Sequence, residues 1–337
     1  MRPRPTAPSP ARRRFVAGAV AAIACPRRAR AQAPAPRGVP HVGYLSVGSE
    51  GTHSAFLTAL RDGLREQGLV DGRNVVVDVY WAGDAAYEFP AIAASVVKTR
   101  PAAIVTTCIP STRAAKRATA TIPVVMSVDG DPVSAGLVAS LARPGNNLTG
   151  SSTLFQELIP KWLQLINESV PGTRPIAILK NPVNLVDPFF WARFEDAAKG
   201  IGADVRPFDV QAPAGLPAAF AAMEGQRVRG LIVMTEAFLA GESERIVPLA
   251  DRHRLPAIYG YSEFVDAGGL MSYGLSFREY YRGVARYVAA VLKGTPPADL
   301  PIEQAARIEF VVNLGAARRL GVNMTPALLA RANRVVT

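Results

Sequence analysis

Alternation of short apolar runs with amphipathic runs is the feature that most constrains the fold of this chain. Between residues 41 and 141, runs rich in β-branched and aromatic residues predict strands, and apolar residues at helical spacing predict helices between them. The predicted strands are His41–Ser46, Asn74–Trp81, Ala102–Thr107 and Ile122–Ser127, and the predicted helices are Ser54–Gln67, Phe89–Thr99, Ser111–Ala120 and Ser134–Leu141. Strands separated by helices of this length form parallel sheets through right-handed crossovers, so the fold class is α/β.

A turn at Arg143–Asn147 (RPGNN) ends the first series, and a second series follows it. Its predicted strands are Pro175–Leu179, Asp204–Val210, Gly230–Met234, Ala257–Tyr259 and Gly269–Tyr273, and its predicted helices are Phe155–Ser169, Pro188–Gly200, Leu216–Met223, Gly241–His253 and Phe277–Lys293. Two such series, divided near residue 150, predict two similar lobes rather than one large sheet. Ligands of open α/β sheets lie outside the carboxyl ends of the strands, so two facing lobes would enclose one cleft.

The first 31 residues have the three zones of a cleavable export signal. Arginines precede an apolar stretch of 11 residues, Phe15–Cys25, and Ala29-Arg30-Ala31 supplies a small-x-small cleavage site. A membrane-spanning helix needs about 20 apolar residues, so this stretch is too short to be an anchor. Arg12–Val16 (RRRFV) is similar to the twin-arginine motif, with the general secretory route as the alternative. We therefore expect a periplasmic protein, with lipid attachment at Cys25 as a rival, and a disordered stub over residues 32–40.

The export signal also accounts for the charge of the chain. The sequence has 38 Lys+Arg against 27 Asp+Glu, a formal net charge of +11 that would suit a nucleic-acid partner. Eight of the arginines and none of the acids lie in residues 1–31, and removing them leaves a net charge of +3. No nucleic-acid partner is therefore expected. Cleavage would also remove Cys25, and Cys108 alone forms neither an intramolecular disulfide nor a cysteine-rich metal site.

Most catalytic signatures are absent from the sequence. It contains no phosphate-binding loop, no dinucleotide-binding fingerprint after the first strand and no G-x-S-x-G elbow. The three histidines, His41, His53 and His253, are too scattered for a metal site, and His53 falls in a predicted loop. We therefore expect neither an enzyme nor a bound cofactor or metal.

Polar residues at the predicted strand ends are the candidate ligand-binding residues. Hydroxyls, amides and a few charges that converge on a cleft suit a small polar ligand covered by aromatic rings, although loops at strand ends are commonly polar in any case. The candidates are Ser46, Ser49, Thr106, Thr107, Ser127, Asp129 and Asp131 in the first series, and Asn181, Thr235, Glu236, Tyr261 and Tyr273 in the second.

Asp131 and Cys108 each have two interpretations. Asp131 lies in Asp-Gly-Asp-Pro just past a predicted buried strand, where it could pair with a ligand ammonium group or cap the helix that follows. Cys108 follows the third strand in TTCIPST, where we expect a small buried residue rather than a nucleophile.

Several longer segments resemble the substrate-binding proteins of ABC transporters of the tryptophan/tyrosine-uptake type, from about His41 to Val336. The most specific are residues 130–150, which include GDPV, LV and RPGNNLTG, and residues 269–274, GLMSYG. HVGYLSVGS, FLTALRDGLREQGLVDGRNVVVDVYWAGD and FVVNLGAARRLGVNMTPALLARANRVV carry the resemblance over the rest of the chain.

The resemblance implies a type I periplasmic-binding-protein fold, with two Rossmann-like lobes joined by a three-segment hinge and a solute trapped between them. We place one lobe at residues 41–152 plus about 276–296 and the other at 153–275 plus about 297–337. The implied partners of this expected monomer are a small-molecule solute and an ABC permease with its ATPase. The solute would be an amino acid, aromatic in some members, or a small carboxylate. The alternatives are an exported enzyme on the same scaffold and a periplasmic sensor for a membrane receptor.

Overall fold

The described part of the chain contains two β-sheets, each covered by helices. The structure, a computed structural model, describes residues 38–83, 88–153, 155–172, 174–182, 188–305 and 307–337, apart from the side chains at 129 and 188–190. The strands are β1 (His41–Ser46), β2 (Val76–Trp81), β3 (Ala103–Thr106), β4 (Val124–Asp129), β5 (Leu148–Thr153), β6 (Ile176–Lys180), β7 (Val205–Asp209), β8 (Gly230–Val233), β9 (Ala257–Tyr261), β10 (Met271–Leu275), β11 (Glu303–Gln304), β12 (Glu309–Asn313) and β13 (Arg334–Val336).

Parallel pairing dominates both sheets. The first sheet has the order β11-β5-β4-β3-β1-β2, with every neighbouring pair parallel. The second has the order β13-β12-β10-β9-β8-β6-β7, in which only β10 and β12 pair antiparallel. The predicted α/β class with two parallel-sheet lobes is confirmed. We call the first sheet with its helices lobe 1 and the second with its helices lobe 2.

Helices connect most of these strands. They are α1 (Glu50–Glu66), α2 (Phe89–Lys98), α3 (Ile109–Ala118), α4 (Ile159–Ser169), α5 (Pro188–Gly200), α6 (Leu216–Gly225), α7 (Ala237–Gly241), α8 (Ser243–Arg252), α9 (Glu263–Asp266), α10 (Phe277–Leu292), α11 (Leu314–Leu320) and α12 (Pro326–Leu329). Within the described residues, no helix is long and apolar enough to cross a membrane. The predicted export signal, and the part of the predicted stub that precedes residue 38, lie outside the described residues.

Helices α1 and α10 pack side by side on one face of the first sheet. Leu60 of α1 and Val284 of α10 are completely buried against Tyr44 and Val105 of the sheet. Full burial of an aliphatic side chain stabilises a fold by about 1.5–3 kcal/mol, so this layer fixes α10 firmly in lobe 1. The two helices lie close together at Gly63, where a Cβ atom would lie 2.1 Å from the carbonyl oxygen of Arg282.

Trp162 of α4 anchors one face of the second sheet. Its side chain is completely buried, and its Nε1 donates a hydrogen bond of 2.6 Å to the carbonyl oxygen of Tyr273 in β10. Gly260 in β9 leaves room for the ring, because a Cβ atom there would lie 3.2 Å from Trp162 Cζ2. The indole therefore satisfies its polar group while it fills the core.

The described part of the chain passes between the sheets at three places. It leaves the first sheet after β5, returns from β10 into α10, and leaves again between β11 and β12. The predicted boundary gave residues 297–337 to the second lobe, but Glu303–Gln304 pairs with β5 in the first sheet. Residues 297–304 therefore lie with lobe 1.

The structure differs most clearly from the predictions between residues 134 and 153. Residues 134–141, predicted as a helix, form a series of turns after Asp131. Leu148–Thr153, which was not predicted, is a fully buried strand. Two of its hydroxyl side chains bind distant carbonyl oxygens: Thr149 Oγ1 donates to that of Leu300 at 2.8 Å, and Ser151 Oγ to that of Glu303 at 3.1 Å.

The close approach of α1 and α10 predicts opposite effects for two glycine substitutions. Gly63→Ala is expected to lower the free energy of unfolding by about 1–2 kcal/mol, because the forced separation of the helices outweighs the better helix propensity of alanine. Gly283→Ala, on the exposed face of α10 with no atom within 4 Å of the added Cβ, is expected to raise it by up to about 1 kcal/mol. Urea denaturation measures both values, and equal stabilisation by the two substitutions would contradict the packing described above.

Candidate functional site

Three candidate hydroxyls lie on neighbouring strands of lobe 1. Ser46 ends β1, Thr107 follows β3, and Ser127 lies in β4, and all three side chains are buried. Thr107 Oγ1 donates to Ser46 Oγ at 3.0 Å, and Ser46 Oγ donates to the carbonyl oxygen of Val47 at 3.1 Å. Among the described residues, Ser127 Oγ has no hydrogen-bond partner. These three residues, which the sequence predicts as ligand-binding candidates, therefore lie side by side across three neighbouring strands.

Thr106 stabilises the start of α3 instead. Its hydroxyl lies 2.7 Å from that of Thr112, which in turn donates to the carbonyl oxygen of Cys108 at 2.8 Å. Cys108 is buried at the N-cap of α3, where its backbone N–H donates to Ser111 Oγ at 3.2 Å. The prediction of a small buried cysteine is confirmed.

Ser49 and Asp131 hold local backbone. Ser49 is the N-cap of α1, and its backbone N–H donates to Thr52 Oγ1 at 3.2 Å. Asp131 accepts from the backbone N–H of Val133 at 2.8 Å and from Ser134 Oγ at 2.6 Å, so it caps a turn rather than a helix. Asp129 ends β4, and its side chain lies outside the described part of the structure.

In lobe 2, Asn181, Thr235 and Tyr261 follow or end the neighbouring strands β6, β8 and β9, and all three are buried. Among the described side chains, Thr235 Oγ1 is buried without a hydrogen-bond partner. The methyl group of Thr235 packs against Gly260, where a Cβ atom would lie 1.7 Å from Thr235 Cγ2. This packing fixes the side chain of Thr235. Glu236 is the buried N-cap of α7 and accepts from the backbone N–H of Leu239 at 2.6 Å.

An aromatic cluster joins the strand ends of the two lobes. Tyr261 meets Phe155 edge-on at 5.5 Å and Phe277 edge-on at 6.1 Å between ring centroids. Phe277, the first residue of α10, also lies 4.5 Å from the ring of Phe56 in α1. Tyr273 is not part of this cluster, because β10 continues to Leu275 and Tyr273 packs in mid-strand against Phe310.

His53 links the lobes directly. Its Nε2 lies 2.8 Å from the carbonyl oxygen of Ala237, the first residue of α7. Because α1 follows β1 and α7 follows β8, this contact brings the carboxyl ends of the two sheets face to face. Sequence reasoning missed His53 because α1 begins at Glu50, before the predicted helix, and the partner is 184 residues away.

Glu263 makes a second link between the lobes. This buried carboxylate on α9 accepts from Ser276 Oγ at 2.6 Å and from the backbone N–H groups of Phe277 at 3.1 Å and Arg278 at 3.2 Å. A negative charge at a helix N-terminus is favourable, and here the helix packs in lobe 1 while the carboxylate belongs to lobe 2. The sequence Ser276-Phe-Arg-Glu279 signals the start of a helix but gives no sign of Glu263.

A pocket of about 390 Å³ lies beside these two links. Its wall includes Thr52 and Phe56 of lobe 1, Ser243, Glu244 and Glu263 of lobe 2, and Arg278 of α10. In the described part of the chain, no group of three or more His, Cys, Asp or Glu residues could hold a metal ion. The arrangement offers hydrogen bonds, aromatic rings and a few charges, which suit reversible binding of a small molecule.

A family model for "ABC transporter substrate binding protein" matches residues 49–336. A tyrosine-binding protein of Clostridioides difficile (strain R20291) is 25% identical over 272 residues, which cover 81% of this chain and 77% of that protein. A conserved domain protein from Vibrio cholerae has a solved structure with a TM-score of 0.80 and 27% identity, covering 88% of this chain and 100% of that one. An ABC domain from Streptococcus pneumoniae in complex with L-Trp has a TM-score of 0.79 and 23% identity, covering 89% of this chain and 100% of that one.

The link through Glu263 predicts a large loss of stability when its charge is removed. Glu263→Gln is expected to lower the free energy of unfolding by about 1–3 kcal/mol, because its amide N–H₂ would face backbone N–H groups that need an acceptor. Asp266→Asn on the same short helix removes only an exposed ion pair with Arg334 and should cost less than about 1 kcal/mol. Urea denaturation compares the two variants. Equal losses of unfolding free energy would contradict the role of Glu263 as the acceptor for the N-terminal N–H groups of α10.

Proposed function

Since the chain belongs to the family of ABC transporter substrate binding proteins, we propose that it traps an amino acid with an aromatic side chain between its two lobes. The binding of tyrosine and of L-Trp named for two similar proteins supports this class of solute. The observation that carries the proposal is the meeting of the strand ends: the segments that follow β1 and β8 touch through His53 and Ala237. A solute held at this junction contacts both lobes at once.

The polar groups near the junction suit an amino acid. Ser127 Oγ in lobe 1 and Thr235 Oγ1 in lobe 2 are buried hydroxyls without a partner among the described residues. Such groups cost about 1–3 kcal/mol unless they bind something, and a hydroxyl can donate to a carboxylate. The buried carboxylate of Glu236 offers the charge that an ammonium group prefers, and Tyr261 lies among the rings at the same strand ends.

Trapping depends on a difference in affinity between two arrangements of the lobes. A solute that contacts both lobes binds the closed arrangement more tightly and shifts the population towards it. An ABC permease and its ATPase would then recognise the closed form. In this proposal the protein is an exported monomer that works in the periplasm after cleavage of a twin-arginine signal, and it catalyses no reaction.

Calorimetric titration tests the class of solute. We expect L-tyrosine or L-tryptophan to bind with a dissociation constant between about 1 μM and 1 nM, equivalent to about −8 to −12 kcal/mol. L-alanine, which offers the same ammonium and carboxylate groups without a ring, serves as the matched control and should bind at least about ten-fold more weakly. Absence of heat with both aromatic amino acids would contradict the proposed solute.

Thr235→Val separates a role in binding from a role in folding. The substitution keeps the shape that packs on Gly260 and removes a buried hydroxyl without a described partner, so the free energy of unfolding should stay the same or rise by up to about 3 kcal/mol. The affinity for the aromatic amino acid is expected to fall about ten-fold. Ser272→Ala, which removes another buried hydroxyl without a described partner from the middle of β10, is the control and should lower neither the stability nor the affinity. Unchanged affinity in Thr235→Val would remove this residue from the binding site.

A further inference from the structure

His53 has both ring nitrogens in hydrogen bonds. Because the carbonyl oxygen of Ala237 can only accept, Nε2 carries the hydrogen and donates across the 2.8 Å contact between the lobes. Nδ1 lies 2.7 Å from Thr52 Oγ1 and accepts the hydroxyl hydrogen. This pattern fits a neutral ring, and the side chain is almost completely buried.

Glycines from both lobes enclose the imidazole. A Cβ atom at Gly48 of lobe 1 would lie 2.0 Å from His53 Nδ1, and one at Gly241 of lobe 2 would lie 2.5 Å from Cε1. Phe56 stacks on the ring at 5.3 Å between centroids. The pocket for the imidazole therefore exists only when the lobes are together.

We propose that His53 is a positioning residue that latches the closed lobes, and that protonation of its ring releases the latch. The inference rests on the proposed closure of the lobes around a solute. Protonation of His53 in mild acid then destabilises the closed form and promotes release of the solute.

Burial is the main physical reason for this effect, since it penalises the charged ring. It lowers the pKa of His53 to about 4, against the smaller opposing effect of the hydrogen bond to Ala237. The charged groups on the elements around the ring are Glu50 of α1, Glu236, Glu242 and Glu244 beside α7 and α8, Glu263 and Asp266 of α9, and Arg278 of α10. Carboxylates near the ring would favour its protonated form, and the penalty of burial sets the direction of the shift.

The direction of the pH effect follows from this lowered pKa. A ring released to solvent regains the ordinary value near 6.5, so below that pH the open form binds a proton that the closed form excludes. The contribution of His53 to closure is complete above pH 6.5 and declines as the pH falls towards 4. Closure should be about ten-fold less favourable at pH 5.5 than at pH 7.5.

Calorimetry at two pH values tests the latch, with L-tyrosine and L-tryptophan as probes. The dissociation constant of the wild-type protein should rise about ten-fold between pH 7.5 and pH 5.5. His53→Gln keeps an N–H donor at the position of Nε2 but cannot be protonated, so its dissociation constant should change less than about two-fold. His253→Asn is the matched control, because His253 pairs with Glu224 within lobe 2, and it should behave like the wild type.

Failure of the latch is distinguishable from failure of the proposed solute. An unchanged wild-type affinity, or an equal loss in His53→Gln, overturns the latch while the solute assignment stands. If neither probe binds at pH 7.5, the solute assignment fails and an NMR titration of the three histidines decides the latch. A titration midpoint for His53 below about 6 supports the latch. A midpoint near 6.5 in a protein whose radius of gyration matches the closed arrangement overturns it.

Discussion

Helix α10 is shared between the lobes, and the arrangement of the two lobes depends on this sharing. Its side chains pack with α1 on the first sheet, and Tyr280 donates its hydroxyl hydrogen to the backbone of lobe 1, 3.1 Å from the Val128 carbonyl oxygen and 2.9 Å from that of Ser151. Its first N–H groups are bound by Glu263 of lobe 2. Because α10 is held by both lobes, it connects the two sheets and positions their strand ends close to each other.

The meeting of the strand ends explains why a parallel architecture suits this family. Each crossover between parallel strands returns the chain so that their carboxyl ends lie at the same edge of the sheet, and ligands bind there. In lobe 2 this holds for β6 to β10, since β12 and β13 run the opposite way. In this protein the two edges touch through His53 and Ala237 and through the rings of Tyr261 and Phe277. Hydrogen bonds, rings and charges from both lobes therefore converge on one junction, which a single solute can bridge.

The fold was predictable where burial leaves a clear pattern. The apolar runs of β3, β8 and β9 are covered on both faces, so they stand out in the sequence. β5 (Leu148–Thr153) was missed because hydroxyl side chains dominate it, and the partners of Thr149 and Ser151 are contributed by residues about 150 positions later. The pattern of a strand disappears when a distant segment satisfies its polar groups.

The candidate site was predictable by position but not by role. Thr106 and Thr235 both stand at strand ends, yet Thr106 is bound to Thr112 whereas Thr235 has no partner among the described residues. The two threonines differ because helix α3 places Thr112 beside Thr106, and the sequence does not reveal this contact. His53 and Glu263 were missed for the related reason that each acts on the opposite lobe, through contacts that no local spacing reveals.

Small-angle X-ray scattering tests the central claim, that a solute closes the two lobes on one another. The radius of gyration is measured for the purified protein alone and with saturating L-tyrosine or L-tryptophan. The account predicts a smaller radius of gyration with the amino acid that binds. Calorimetric binding without any decrease in the radius of gyration would contradict it.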